Sequence, residues 1–388
     1  MFSERIDRME ESLTLAMSQK ARELKAQGRD VMAFSAGEPD FDAPSVVKSA
    51  AIEAINAGYN KYTAVSGSDE LLGAIAGKLK RDNALEYSTK QIVSCTGAKH
   101  ALFQLFAVLV NHNDEVIVPT PAWVSYPEMV RYHGGKAVLV PTKPENGFKI
   151  TPAELKAALT SKTKILVLNS PSNPTGSIYS KEEMLSLGET LKGSDVLVFS
   201  DEIYEKLVYT TAFCSAASVS DDMFSRTITI NGLSKSAAMT GWRIGYFATA
   251  RTEIAKAVTK LQSQSTTNLT SIVQKAAIPA LDGSADGDIE RMRAVFERRR
   301  NLALALFGEI DKLKAIVPMG SFYIFVSCEE CERDSMKFCL DMLDQVGVST
   351  VPGAGFAQEG YFRFSFATDE ESIKRGIGKI AEFVKGFK

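Results

Sequence analysis

Residues 163–202 read TKILVLNSPSNPTGSIYSKEEMLSLGETLKGSDVLVFSDE. Two nearly unbroken apolar runs, ILVL and VLVF, flank a stretch that carries its own start signal. Ser180-x-x-Glu183 has the spacing of a capping box, in which a hydroxyl and a carboxylate each satisfy a free backbone N–H at a helix N-terminus. Strand, helix, strand is the expected order. Continuous hydrophobic runs predict strands buried on both faces of a mostly parallel sheet.

The same alternation extends from residue 90 to 250. QIVSC, DEVIVPT, KAVLVPT, RTITING and GYFAT add strands, and Thr151-Pro152-x-Glu154 marks another helix start with proline at the first helical position. Beyond about residue 285 a long charged helical pattern leads to GSFYIFVS, a helix around 334–346, the strand YFRFSFA and a terminal helix. A chain of 388 residues exceeds the size at which one core keeps growing. The expected architecture is α/β, a large domain with a mostly parallel mixed sheet flanked by helices, plus a smaller α+β domain. The expected division is 45–285 for the large domain and 286–388 for the small one, with 1–44 packing against the latter.

The net charge of −2 argues against a nucleic-acid or membrane surface, which needs a concentrated basic patch. The run RMRAVFERRR at 291–300 reads as the solvated face of a long helix. The charged start MFSERIDRMEES lacks a signal-peptide core, which predicts a cytoplasmic protein. Five scattered cysteines predict reduced thiols. The group CEECERDSMKFC at 328–339 has no histidine near it to complete a zinc set, so no metal is expected.

In open α/β sheets ligands bind beyond the carboxyl ends of the strands. After IVSC come Thr96, Gly97, Ala98 and Lys99 at the start of an apolar helix, suited to an anion at free N–H groups. Trp123 follows the next strand, Asn173 lies in the PSNPTG turn, and Asp201 and Tyr204 end VLVF. No dinucleotide or P-loop glycine pattern occurs. In YFRFSFA, Phe362, Phe364 and Phe366 share one face and Arg363 the other, where a guanidinium fork suits a carboxylate. Lys235, in NGLSKSAAMTGWRIGY (231–246), sits among small residues near Arg243. Desolvation and like charge should lower its proton affinity and make it a nucleophile toward a carbonyl. An anion cradle, an acid for a ring nitrogen, a phenol and amide for a ring oxygen, an aromatic plate and a reactive amine suit pyridoxal 5'-phosphate.

Together AGEPDF (36–41), NSPSNPTG (169–176), SDEIYE (200–205) and SKSAAMTGWRIGY (234–246) resemble the class I, fold type I pyridoxal-phosphate aminotransferases. The bacterial-type aspartate aminotransferases, with their aspartate/prephenate members, are the nearest group. The similarity runs from about residue 12 almost to the end. It implies that Lys235 joins the cofactor as a Schiff base and moves the proton, and that Asp201 pairs with the ring nitrogen. Tyr204 and Asn173 would bond the ring oxygen and Trp123 would stack on the ring. Arg243, Gly97, Ala98 and Ser234 belong to the cofactor set. Tyr62 would reach the phosphate of a neighbouring subunit, so a homodimer with shared sites is implied. Arg363 would clamp the substrate α-carboxylate with Asn173, Trp123 and Gly37, while Lys99 and Thr14 would meet a distal carboxylate. The implied reaction is ping-pong transfer of an amino group between L-aspartate and 2-oxoglutarate. The alternatives are aspartate/prephenate or aromatic transamination. The chain departs from relatives at Gly232, where a phosphate-binding serine is frequent, and at Ala122, where an aromatic is.

Overall fold

The computed structural model describes residues 2–10 and 13–387, with the side chains of residues 13–16 and 18 outside the description. Among the described residues the strands are β1 (Met32–Ala33), β2 (Ile92–Cys95), β3 (Glu115–Thr120), β4 (Lys136–Pro141), β5 (Thr163–Asn169), β6 (Leu197–Asp201) and β7 (Thr227–Gly232). They continue with β8 (Gly245–Thr249), β9 (Lys314–Ala315), β10 (Tyr323–Ser327), β11 (Val348–Ser349), β12 (Val351–Pro352) and β13 (Tyr361–Ser365).

Seven of these form one sheet in the order β2-β8-β7-β6-β5-β3-β4. Only β8 runs against its neighbours. Both faces are covered, as the apolar runs required. Ile165, Val167, Leu197 and Phe199 point to one face and pack with Leu102, Leu105 and Val258. Leu166, Leu168 and Val198 point to the other and pack with Met184 and Leu187. The helices between carry the expected caps. Thr151 and Ser180 accept from Glu154 N and Glu183 N, and each glutamate returns a bond to the cap backbone.

A second, antiparallel sheet has the order β12-β13-β10-β9. Phe362, Phe364 and Phe366 pack in its core with Phe307 and Phe338. The N-terminal segment joins this region, because β1 pairs in parallel with β11.

The run RMRAVFERRR does form helix, within Asp286–Phe307, but it is not a solvated face throughout. Phe296, Arg299 and Arg300 are buried. Arg299 makes a forked pair with Asp40 at 2.7 and 2.8 Å. A guanidinium enters a helix–loop interface when a carboxylate neutralises it there. That partner is 259 positions away in the sequence.

Candidate active site

The carboxyl ends of β2, β3, β5, β6 and β7 open into one cleft, and the strand ends deliver its residues. A cleft of about 470 Å³ is lined by Gly37, Ala98, Lys99, Trp123, Asn173, Asp201, Tyr204, Ser234, Lys235, Arg243 and Arg363, with Tyr126 and Tyr323. The single reversed strand explains how Arg243 joins them. It precedes β8, so the amino end of an antiparallel strand meets the carboxyl ends of the others.

Gly97 caps the helix Ala98–Leu109 with φ of 89°, a left-handed conformation that favours glycine. A Cβ there would overlap Arg243 Nη2, so the missing side chain is what lets the guanidinium lie over the helix N-terminus. Arg243 Nη1 donates to the Thr240 carbonyl at 2.8 Å. The result is a cationic pocket with backbone N–H groups at its floor. Gly232 is also a packing necessity. Its Cβ would lie 2.8 Å from the Ile244 carbonyl oxygen and 2.9 Å from Gly245 Cα.

Asp201 is 3% exposed and its carboxylate accepts two hydrogen bonds. Tyr126 Oη donates to its Oδ2 at 2.7 Å and Ile203 N to its Oδ1 at 3.2 Å. Burial raises its pKa to about 6 against the opposing effects of these donors and Lys235. A buried carboxylate on two donors is prepared for a cationic partner. Lys235 Nζ donates to the Gly37 carbonyl. Burial pushes its pKa down to about 8; Glu38 acts in the other direction, while Arg363, Arg243 and Lys99 add to the depression. Arg363 thus contributes more than Arg243, the neighbour evident in the sequence.

Arg363 points away from the aromatic core into the cleft. Its Nη1 donates to Asn173 Oδ1 and its Nη2 to the Ser35 carbonyl, both at 2.9 Å. The guanidinium lies 4.1 Å from the Tyr323 ring centroid. Its Nε is buried and has no partner among the described residues. Lys99 Nζ sits 4.7 Å from the Trp123 centroid. Burial and Arg243 lower its pKa.

Two expected site residues stand apart. Tyr62 is 87% exposed and is outside the cleft of its own chain. The side chain of Thr14 lies outside the described residues. Tyr126, Ser35 and Tyr323 were not legible as site residues. The only sequence signal for Tyr126 is its place three residues after Trp123.

The donor set fits a phosphorylated pyridine aldehyde. Arg243 and the helix start would hold the phosphate, Asp201 a protonated ring nitrogen, Tyr204 and Asn173 a ring oxygen, and Lys235 the aldehyde carbon. Residues 29–380 match the family model described as aminotransferase class I and II. The chain belongs to this family. Its members work with pyridoxal 5'-phosphate, and this one is a transaminase. It is 46% identical to an aspartate aminotransferase of Bacillus subtilis, over 99% of this chain and 98% of the relative. It is 43% identical to a probable aspartate/prephenate aminotransferase of Rhizobium leguminosarum, over 97% of each. The solved aspartate aminotransferase of Thermus thermophilus with maleate superimposes with a TM-score of 0.95 at 41% identity, over 98% of this chain and 99% of that one.

Proposed function

We propose that this transaminase moves the amino group between L-aspartate and 2-oxoglutarate, giving oxaloacetate and L-glutamate. One observation carries the choice of dicarboxylic substrates. Arg363 and Lys99 line the same cleft as Lys235, so a substrate can meet a cation at each of two carboxylates. Arg363 orients the α-carboxylate with its fork, and Asn173 holds that fork in place. Lys99, kept over the indole of Trp123, selects the distal carboxylate.

When bound, pyridoxal 5'-phosphate supplies an aldehyde that joins amines and a ring that draws off electron density. Asp201 would hold a positive charge on the ring nitrogen. Lys235 Nζ, its pKa brought down to about 8 and so about half freed of its proton at that pH, would take up the proton from the substrate α-carbon. Trp123, which lines the cleft, would cover the ring and limit water at that face.

A second reading, aspartate/prephenate transamination, has its own support. Beyond Lys99, Trp123 and Arg363 the cleft widens into about 780 Å³ lined by Phe103, Ala122 and Phe356. The small Ala122 leaves room where relatives often have an aromatic, and prephenate also carries two carboxylates. Mixing holoenzyme with aspartate, glutamate or phenylalanine, and the aminated form of the enzyme with 2-oxoglutarate or prephenate, and following the cofactor absorbance tests both readings. Rapid bleaching by aspartate is expected, with loss of turnover in Lys235→Ala. An aspartate-inert enzyme would overturn the assignment.

The same reading includes a homodimer with shared sites. Exposed Tyr62, Ile52 and Ile55 support an apolar surface covered by a second copy. Tyr62 would reach the neighbour's phosphate, and Thr14 would assist Lys99. A cytoplasmic location is supported by five free cysteines. The division into 45–285 and 286–388, with 1–44 joined to the latter, belongs to the same proposal. Sedimentation of the holoenzyme as a single-chain species would remove the shared-site element.

A further inference from the structure

Tyr323 has no part in the reading above, yet it touches three of the residues that do. It stands on β10, opposite Ser365 on β13. Its side chain is buried. Its hydroxyl is 3.1 Å from Tyr204 Oη, and its ring carries the Arg363 guanidinium 4.1 Å from the centroid. A Cβ at Gly37 would meet the Tyr323 hydroxyl at 3.2 Å. One side chain from the small sheet therefore abuts the cofactor phenol, the carboxylate fork and the segment whose carbonyl receives Lys235.

The proton order between the two phenols follows from what Tyr204 must do. If Tyr204 donates to the cofactor ring oxygen, its own oxygen is left to accept, and Tyr323 is the donor. A phenol that accepts a hydrogen bond becomes a stronger donor, because such bonds polarise one another. With the opposite order Tyr204 spends its proton on Tyr323 and has none for a ligand. Arg363 needs a different kind of support. Asn173 and Ser35 hold two of its nitrogens at the edge, and an aromatic face beneath the cation fixes its plane.

We propose that Tyr323 is a positioning residue with two separable actions: its hydroxyl aims the Tyr204 proton at the cofactor ring oxygen, and its ring fixes the plane on which Arg363 receives the α-carboxylate. This rests on the transaminase reading of the cleft. Besides Tyr323, the charged and titratable groups around Tyr204 are Arg363 from β13, Asp201 at the end of β6 and Tyr126 behind it, with Lys235 beside Asp201. Tyr323→Phe leaves all of them in place.

The two actions separate in the holoenzyme. Tyr323→Phe removes only the hydroxyl. The weaker Tyr204 bond then stabilises the ring oxyanion less, so the visible pH titration of the bound cofactor should move upward by about 0.5–1 unit. Succinate, a non-reacting dicarboxylate, should bind this variant with a Kd within about twofold of wild type, since the ring under Arg363 remains. Tyr323→Leu removes the ring as well and should raise the succinate Kd about tenfold. Tyr323→Met serves the second arm if the leucine variant does not fold. An unmoved titration in Tyr323→Phe, or wild-type succinate binding without the ring, overturns the proposal. If wild-type enzyme still reacts with aspartate, that result leaves the transaminase reading standing; an aspartate-inert wild type defeats the reading itself.

Discussion

Lys235 Nζ faces three cations and one carboxylate, and its proton affinity reflects that company. Burial, opposed by Glu38 and joined by Arg363, Arg243 and Lys99, brings its pKa down to about 8, and Glu38 alone among these charges raises it. Removing the Glu38 charge in Glu38→Gln should lower the pKa again. The amine reacts only when neutral, so the rate at which apoprotein combines with pyridoxal 5'-phosphate should rise with pH through the lysine pKa. In Glu38→Gln that rise should fall about half a unit lower. Stopped-flow absorbance across pH 6–10 measures it. Tyr126 acts on Asp201 in the opposite sense to burial. Without its 2.7 Å bond, Tyr126→Phe should leave Asp201 with a pKa above about 6 and weaken cofactor binding about tenfold at neutral pH. Fluorescence titration of apoprotein with the cofactor checks this. Lysine, aspartate and arginine were legible in the sequence because charge beside an apolar strand is costly without a purpose. The tyrosines were not, since an aromatic is at home in any core and its hydroxyl partner is remote in sequence. Tyr126 and Asp201 are 75 positions apart.

Strands and helix starts were legible because their signals are local. A run such as ILVL needs only neighbours to be read, and Thr151 and Ser180 meet their glutamates three residues on. What escaped was the reason for Gly232. Read against relatives it looks like a lost phosphate ligand, whereas β7 and β8 pair so closely that Gly232 faces Gly245. Its φ of 173° is ordinary extended backbone, so the constraint is space and not conformation. Gly232→Ser is therefore expected to destabilise the sheet by roughly 1–3 kcal/mol through overpacking, with no gain in cofactor affinity. Thermal unfolding of the apoprotein and cofactor titration measure the two effects separately. The Arg299–Asp40 pair is the converse case, a long-range contact that turned an expected solvent face into an interface.

At the scale of the whole molecule, stability should depend on one buried acid behind the cleft. Glu202 Oε1 accepts from Ser200 Oγ at 2.8 Å, Ser215 Oγ at 2.7 Å and Ala216 N at 3.2 Å, while Oε2 has no partner among the described residues. Burial, with the neighbouring Glu205 charge, raises its pKa to about 7. The folded state thus holds this proton more tightly than the unfolded chain. Its favourable contribution is complete below the ordinary glutamate pKa and is lost as pH rises through about 7. Glu202→Gln removes the ionisation, so its Tm relative to wild type should climb between pH 5 and pH 8. A difference that stays constant over that range would contradict this. The second feature at this scale is the parallel pairing of Met32–Ala33 with Val348–Ser349. During synthesis the first of these emerges from the ribosome about 315 residues before the second, which at roughly 5–20 residues per second is a wait of about a quarter of a minute or more. Ser35, just beyond it, waits still longer for Arg363. The wide sheet can assemble on the nascent chain, but the fork proposed to hold substrate is among the last things translation supplies.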